Sequence, residues 1–342
     1  MLGEGSLNGS DEDALHETGL SVAMPPVSFA CLLLAPPALP RPMPSNSISC
    51  LSIAMAGNNF KVVVRVRPPL PRELNGDKRF QNIARIENDR SITLSENLPA
   101  LDDPRVDEAT AGNFSSYTFT FDHVYSEHSN QSDVYNNTAR EAVLSSLSGY
   151  NASIIAYGQT GTGKTYTMEG EPSPKLRGII PRATEEIYSF IENAVSERKK
   201  FLVRASYLQI YNEVISDLLK PERTNLHIRE DKRRGVFVEG LSEWVVRSPK
   251  EVYGLMQRGA MTRATASTKM NEISSRSHAV FIIIAEQLEY IDEDAAAAHA
   301  HGPDQEGVYK GQAFKVGKLN LVDLAGSERV RLTGATGRRL EV

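Results

Sequence analysis

Gly158-Gln-Thr-Gly-Thr-Gly-Lys-Thr165 matches the phosphate-binding pattern G-x-x-x-x-G-K-[ST] at every fixed position. Glycines in such a loop let the backbone wrap around phosphates, with successive amide N–H groups pointing inward. Lys164 would bring a positive charge to the β- and γ-phosphates, and the Thr165 hydroxyl could ligate Mg²⁺. The loop follows a short apolar stretch, 153–157, and precedes a helix whose N-terminus favours anions. This context predicts a nucleotide-binding loop, against the alternative of a chance glycine-rich turn.

The pattern of apolar residues on both sides of this loop predicts an α/β domain. β-branched or alternating apolar stretches predict strands at 60–67, within 79–94, and at 117–121, 153–157, 201–211, 279–286 and 318–322. Helical spacing predicts helices at 132–147, with Ser132 as the N-cap, at 182–198 and at 249–263. Residues 226–246 predict a small hairpin with a basic turn, and 97–111 and 291–311 predict loops. Because strands and helices alternate, we expect a layered α/β architecture.

Composition narrows the class of protein. The 342 residues are 24% charged and 40% hydrophobic with a formal net charge of −5, so no overall basic field indicates nucleic-acid binding. Cys31 and Cys50 are the only cysteines, which excludes a disulfide framework and fits a reducing cytosol. No stretch predicts a transmembrane segment. His299 and His301 lie in the predicted alanine-rich loop, where a histidine metal site is the alternative to an exposed loop.

The first 57 residues predict a disordered N-terminal extension. One cation and five acidic residues give this stretch a net charge of −4, and 24–44 is rich in proline. The apolar stretch 29–35 is too short to span a bilayer. A signal peptide is an alternative, although the residues before that stretch are acidic and not basic. A translation start at Met55 is a second alternative.

Two further segments suit nucleotide hydrolysis. Asp323-Leu-Ala-Gly326 follows the predicted strand 318–322, and an aspartate at a strand end beside a phosphate loop is where a Mg²⁺-bound water is held. Gly326 could offer its N–H to the γ-phosphate. Asn271-Glu-Ile-Ser-Ser-Arg-Ser-His278 supplies hydroxyls and a guanidinium between a predicted helix and a predicted strand. Either segment alone is weak evidence, because DxxG strings and serine-rich loops are common.

Four motifs together resemble the kinesin motor domain in order and spacing. They are Arg65-Val-Arg-Pro68, Ala156-Tyr-Gly-Gln-Thr-Gly-Thr-Gly-Lys-Thr165, Ser274-Ser-Arg-Ser-His278 and Leu321-Val-Asp-Leu-Ala-Gly-Ser-Glu328, with support from Gly178-Ile-Ile-Pro-Arg182 and Ser206-Tyr-Leu-Gln-Ile-Tyr-Asn-Glu213. The resemblance covers residues 59 to 341. It implies a P-loop NTPase fold, three-layer α/β/α with a mostly parallel, mixed central sheet. It also implies an ATP-dependent microtubule motor of the cytoplasm and the microtubule cytoskeleton.

The resemblance implies a role for each motif, with ATP and Mg²⁺ as ligands. Arg65 and Pro68 would lie on the adenine side, and Tyr166 would stack on the base. The phosphate loop would comprise Gly158, Gln159, Thr160, Gly161, Thr162, Gly163, Lys164 and Thr165. Mg²⁺ would be held by Thr165, Ser275 and, through water, Asp323, while hydrolysis would use Ser274, Ser275, Arg276, Gly326 and Glu328. Arg276 and Glu328 would form an ion pair between switch I (271–278) and switch II (323–328), closing the site and helping to place the lytic water.

The resemblance further implies a partial motor domain at 58–342. Segments that follow switch II in kinesins, among them the relay helix, the last central strand and the neck linker, would lie beyond Val342. The fold is then expected to be incomplete at its C-terminus, with apolar surface and a sheet edge uncovered. We expect that the 342-residue chain alone is not a functional motor. Only weak, salt-sensitive attraction to a microtubule would remain, through basic residues at 232–234 and 329–339. A dimer would require a coiled coil in a missing tail, so the oligomeric state stays open, and neither nucleic acid nor membrane is implied as a partner.

Two other function classes are weighed against a motor. A GTPase would share the phosphate loop and the DxxG segment, but guanine specificity usually needs [NT]-K-x-D, and Thr268-Lys-Met-Asn271 lacks the aspartate. A non-motile fragment that binds nucleotide without turnover is the alternative for the chain as written.

Overall fold

The structure is a computed structural model that describes residues 60–75, 80–95, 116–196, 198–232, 235–268, 273–291 and 311–328, and the backbone of 31–35. The predicted loops at 97–111 and within 292–310, including both histidines of the metal-site alternative, lie outside these residues. No helix among the described residues is long and apolar enough to cross a membrane.

Among the described residues, the largest element is one sheet of eleven strands. Its strands are β1 (Cys31–Ala35), β2 (Val62–Arg65), β6 (His123–Tyr125), β7 (Ala152–Tyr157), β8 (Lys199–Tyr211), β9 (Val214–Asp217), β10 (Thr224–Asp231), β11 (Gly235–Glu239), β12 (Trp244–Val246), β13 (His278–Ile291) and β14 (Gly311–Asp323). The order across the sheet is β11-β10-β9-β8-β13-β14-β7-β1-β2-β6, with β12 paired to β8. A separate sheet contains β3 (Ala84–Ile86), β4 (Ser91–Ser95) and β5 (Ser116–Thr120).

The central sheet is mixed, as predicted, but it is not mostly parallel. Parallel pairing joins β7 to β14 and β2 to β6, whereas the other described pairs of this sheet are antiparallel. The physical reason is connectivity, because strands that follow one another through short turns, such as β8, β9, β10 and β11, can only pair antiparallel. The parallel pair β7–β14 nevertheless brings the phosphate-loop strand beside the strand that ends in Asp323.

Alternating burial explains how the central strands form the core. Phe281 and Ile283 of β13 are buried, and their register partners on β8 are Tyr207 and Ala205. The rings of Tyr207 and Phe281 meet edge-on with centroids 5.2 Å apart. β5 differs from the prediction, because residues 117–121 were expected to form a half-buried strand and all five residues of β5 are exposed.

The helices are α1 (Pro71–Leu74), α2 (Gln131–Val134), α3 (Arg140–Leu147), α4 (Lys164–Met168), α5 (Ile179–Ala194), α6 (Pro249–Thr268) and α7 (Ile273–Arg276), and a π-helical turn, Tyr135–Ala139, links α2 to α3. Ser132 is not the N-cap that the sequence predicted. Asn130 caps α2 instead, since its side chain accepts a hydrogen bond from the Asp133 N–H at 2.9 Å. Ser132 lies within the helix and donates its hydroxyl to Asn130 Oδ1 at 2.6 Å.

A strand at Cys31–Ala35 departs from the predicted disordered extension. It pairs antiparallel with β7 on one side and β2 on the other. The expectation of disorder is therefore wrong for these five residues, and the rest of 1–57 lies outside the described residues. The apolar stretch 29–35 is too short to span a membrane, but it is long enough to contain a strand of five residues.

Candidate functional site

The phosphate loop lies between β7 and α4, as predicted. Gly161 and Gly163 have φ angles of 81° and 93°, values that an L side chain rarely adopts. Gly163 is the N-cap of α4, and an added Cβ there would meet no heavy atom within 4 Å. The backbone of the loop therefore turns into the helix through left-handed positions, with open space on the outer side of Gly163.

Lys164 points its ammonium back across this loop. Its Nζ donates to the carbonyl oxygens of Gly158 and Gln159, both at 2.9 Å. Burial lowers the pKa of Lys164, and the nearby carboxylates of Asp323 and Glu328 oppose that shift. A buried ammonium held by neutral carbonyls is a group to which phosphate oxygens would be stronger partners.

Asp323 comes beside the loop because Ala156 and Asp323 are partners in the parallel pair of β7 and β14. Its Oδ2 accepts from the Thr165 hydroxyl at 2.7 Å and lies 3.4 Å from Nη1 of Arg263. Its Oδ1 is buried without a hydrogen-bond partner in the described part of the chain. A buried carboxylate oxygen with free acceptor capacity, next to a threonine hydroxyl, is a donor set that suits a hydrated Mg²⁺.

The two predicted switch segments meet through their backbones. The Gly326 N–H donates to the Ser275 carbonyl at 2.7 Å, and the Ser327 N–H donates to the Gly158 carbonyl at 3.1 Å. The Ala325 N–H donates to Nδ1 of His278 at 3.1 Å, so that ring nitrogen carries no proton. Burial lowers the pKa of His278, which agrees with a neutral ring. The backbone of Ser274 lies in α7.

Glu328 contacts the phosphate loop and not Arg276. Its carboxylate accepts from the Thr160 N–H at 2.9 Å and from the Thr160 hydroxyl at 2.7 Å. Among the described residues, no ion pair joins Arg276 to Glu328. The predicted pair is therefore absent from this structure. The Glu328 carboxylate instead accepts hydrogen bonds from the N–H and the hydroxyl of Thr160. The pair stays a prediction for the nucleotide-loaded site.

On the predicted adenine side, Arg65 is a buried link between elements. Its Nη1 donates to Gln131 Oε1 at 2.8 Å and to Thr167 Oγ1 at 3.0 Å, and its guanidinium lies 5.4 Å from the centre of the Tyr166 ring. Desolvation lowers the pKa of Arg65. Pro68 is exposed. These contacts hold α4 against the motif that contains Arg65. Direct contact of Arg65, Pro68 or Tyr166 with a base stays a prediction.

Three residues at the site were missed as site residues by the sequence analysis. Arg67, within the quoted Arg65–Pro68 motif, donates from Nε to the Gly161 carbonyl at 2.9 Å and pairs with Glu73. Gln131 donates from Nε2 to the Tyr166 carbonyl at 2.7 Å. Arg263 of α6 donates to the Ser277 carbonyl at 2.7 Å as well as facing Asp323. For Arg67 the repeated arginine of the motif was a usable signal, whereas Gln131 and Arg263 reach the site only through tertiary packing.

Comparison with known proteins gives one consistent result. The family model of the kinesin motor domain matches residues 65–341. Kinesin-like protein KIF3C from Pongo abelii and from Mus musculus are each 42% identical over 281 residues, which is 82% of this chain and 32% of those proteins. Kinesin-related protein 3 from Dictyostelium discoideum is 38% identical over 83% of this chain and 21% of its own length.

A solved structure, described as that of a fast kinesin with implications for ATPase mechanism and interactions with microtubules, has a similar fold. It aligns with a TM-score of 0.64 at 38% sequence identity, covering 82% of this chain and 69% of that one. The 82% of this chain that matches the KIF3C proteins corresponds to about a third of their length. With a family match over most of its residues and the phosphate loop, Asp323 and the switch segments assembled around one another, the chain belongs to the kinesin motor domain family.

Proposed function

We propose that this chain binds ATP with Mg²⁺ at the phosphate loop and hydrolyses ATP as the nucleotide-dependent part of a microtubule motor. The observation that carries the proposal is the convergence on one loop of Thr165 and Asp323, hydrogen-bonded at 2.7 Å, with Gly326 and Glu328. Thr165 and Asp323 are 158 residues apart in the chain, and only the fold brings them together. Kinesin family membership supplies the microtubule as the proposed track and the cytoskeleton as the proposed location.

The residues present fit the proposed ligands. Lys164 would exchange its two carbonyl partners for phosphate oxygens, and the turn at Gly161 and Gly163 would present backbone N–H groups to the same phosphates. Thr165, Ser275 and the free oxygen of Asp323 would hold Mg²⁺, the last through water. When bound, the metal would neutralise charge on the phosphate oxygens, which is its usual contribution to phosphoryl transfer.

Switch closure is proposed to transfer Glu328 from one partner to another. In this structure its carboxylate is held by Thr160. With ATP bound, Glu328 would pair with Arg276, Gly326 would donate its N–H to the γ-phosphate, and Ser274 would lie within the closed switch I. Because Gly326 donates to Ser275 here, one rearrangement would move both switches.

We also propose that residues 58–342 belong to a motor domain and that the strand Cys31–Ala35 contributes to its sheet. A chain that binds nucleotide without turnover remains the second candidate. The test that separates them is phosphate release by the 342-residue chain, measured without microtubules because only weak microtubule attraction is expected of this chain alone. Turnover of ATP supports hydrolysis at this site, and tight ATP binding with no turnover supports the second candidate.

Binding itself is tested by Lys164→Ala. Loss of a charge-assisted hydrogen bond costs about 1.5–3 kcal/mol, which corresponds to roughly a 10- to 150-fold weaker fluorescent ATP analogue. Lys175→Ala, in an exposed loop, is the matched control and should leave the affinity unchanged. Equal affinities of the two variants would refute the placement, and displacement by GTP as effective as by ATP would refute the choice of nucleotide.

A further inference from the structure

The N-terminal strand β1 lies in the middle of the nucleotide-binding sheet although its residues precede the kinesin match. The family model begins at residue 65, and β1 spans Cys31–Ala35. Around it the strand order is β14-β7-β1-β2-β6. One of its neighbours, β7, is the strand that leads into the phosphate loop. The segment thus contributes to the sheet from outside the part of the chain that the family shares.

The two neighbours of β1 are core strands, and in the described part of the chain no other strand pairs with the sides that face it. Ile154 and Ala156 of β7, and Val63 and Val64 of β2, are at most 2% exposed. On their outer sides β7 pairs with β14 and β2 pairs with β6. Strands separated by one intervening strand lie about 9.5 Å apart and cannot bond to each other. Within the described residues, β1 is the strand that pairs with these two rows of backbone N–H and C=O groups, and leaving such groups unpaired in a buried position is costly.

The sequence of the segment suits this place. Cys31-Leu-Leu-Leu-Ala35 carries no charge, and a short continuous apolar run is typical of a strand buried on both faces. Pro36 and Pro37 follow immediately, and proline has no N–H to continue a ladder. The two prolines therefore favour an end of the strand at Ala35, where it ends in the structure.

The register connects this strand to the nucleotide site. Cys31 is the partner of Tyr157, which directly precedes Gly158, and Ala35 is the partner of Ser153. The pairing of β1 with β7 thus ends at Tyr157, the residue directly before the phosphate loop. On the other side of β1, Leu32 and Leu33 pair with Val63 and Val62 of β2, the strand that ends at Arg65.

We infer that Cys31–Ala35 is an intramolecular donor strand that holds the phosphate-loop strand in place, so the N-terminal segment is a working part of the nucleotide-binding sheet. The occupant of the position between β7 and β2 is this segment of the same chain. Its loss should loosen β7 and, if the proposed function is correct, weaken nucleotide binding.

The position and register are tested by disulfide trapping in the full chain, with Cys50→Ser to leave Cys31 as the only native cysteine. Register partners in an antiparallel pair have Cα atoms about 4.5–5.5 Å apart, within the range of a disulfide. Tyr157→Cys should therefore form a bond to Cys31 under mild oxidation. Ser153→Cys is the matched control, because four residues of register separate it from Cys31 by about 13 Å. No bond at 157, equal bonding at 153, or a bond between two chains would overturn the inference.

The effect on the loop strand is tested by Leu33→Pro in the full chain, with Leu7→Pro as the control outside the strand. Proline at 33 removes a ladder donor, so hydrogen exchange of the amides of 152–157 should accelerate at least about tenfold. Failure of the Leu33→Pro chain to fold, with Leu7→Pro folded, would support the same conclusion. Exchange equal in both variants would overturn it. Because neither measurement uses nucleotide, failure of the ATPase proposal would not be mistaken for failure of this one.

Discussion

Replacement of Arg263 by alanine should destabilise the protein more than any surface ion-pair change. The Arg263 side chain is buried on α6, where it donates to the hydroxyl and the carbonyl oxygen of Ser277 and faces Asp323. Asp323 is itself buried. The substitution would remove the paired guanidinium from a buried carboxylate, which keeps only Lys164 as a nearby cation among the described residues, and would leave a buried carbonyl without this donor.

The magnitude follows from those contacts. Breaking a buried charge pair by removing one partner costs about 3–5 kcal/mol. The Arg263–Asp323 separation of 3.4 Å is long, and Asp323 keeps the hydrogen bond from Thr165, which favours the lower end of that range. The unpaired Ser277 carbonyl adds about 1–3 kcal/mol. We expect a loss of about 4 kcal/mol in the free energy of unfolding.

Urea unfolding, followed by the fluorescence of the single tryptophan, measures this loss. Trp244 of β12 is a suitable reporter, because its ring lies 5.2 Å from the guanidinium of Arg258. Arg258 and Arg263 both belong to α6, so unfolding of this helix changes the surroundings of the tryptophan. The matched control is Arg229→Ala, which removes the exposed Arg229–Glu239 pair of the β10–β11 hairpin. An exposed pair is worth about 0–1 kcal/mol, so the midpoint should hardly move.

A double-mutant cycle decides whether Asp323 is the cause. If the charge left on Asp323 produces the cost, Arg263→Ala combined with Asp323→Asn should lose about 1–3 kcal/mol less than the sum of the single changes. Strict additivity, or a loss from Arg263→Ala no larger than from Arg229→Ala, would refute the reasoning.

Three further predictions concern the switches and the buried acid. In the proposed motor, Arg276→Ala or Glu328→Ala should abolish phosphate release in a turnover assay while ATP-analogue binding persists, and turnover near wild type in either would contradict the proposed closure. Gly326→Ala should lower stability in the urea assay, because its Cβ would lie 2.2 Å from Glu328 Oε2 and 2.3 Å from Thr160 Oγ1 and would disturb the hydrogen bond between these side chains, whereas Gly254→Ala, with open space in α6, should raise stability by about 0.5–1 kcal/mol. Burial raises the pKa of Glu169 above its ordinary 4.5, so the wild type should lose stability relative to Glu169→Gln as pH rises above that value; a difference independent of pH would contradict this.

Much of the fold was predictable because local patterns determine it. The strand–loop–helix unit around Lys164 and the strand ending at Asp323 were both expected, since alternating or apolar runs and glycine positions specify them locally. The long strands β8 and β13 were predicted in place, although β13 continues to Ile291, beyond the predicted end at 286.

Features that depend on distant pairing were not predictable in the same way. An apolar run such as Cys31–Ala35 has the same local pattern in a tail as in a sheet, and only its pairing with β7 and β2, which are distant in sequence, decides between them. The contacts of Glu328 likewise depend on Thr160, 168 residues earlier in the chain, and no local signal distinguishes that partner from Arg276. The N-cap of α2 was only partly predictable from the sequence, because asparagine and serine are both favoured at N-caps. The structure has Asn130 at this position and not Ser132.

The hairpin of β13 and β14 determines where this protein could tolerate changes in chain length. Its register runs without interruption from the pair Ala279–Asp323, beside the nucleotide site, to the pair Ile291–Gly311. Twelve steps along a strand cover about 40 Å, so residues inserted between 291 and 311 would enter far from Asp323. One residue inserted within either strand would instead turn every following side chain to the opposite face and shift one switch against the other. Natural variants and engineered tags should therefore be accepted at the distant end of the hairpin and rejected along its strands.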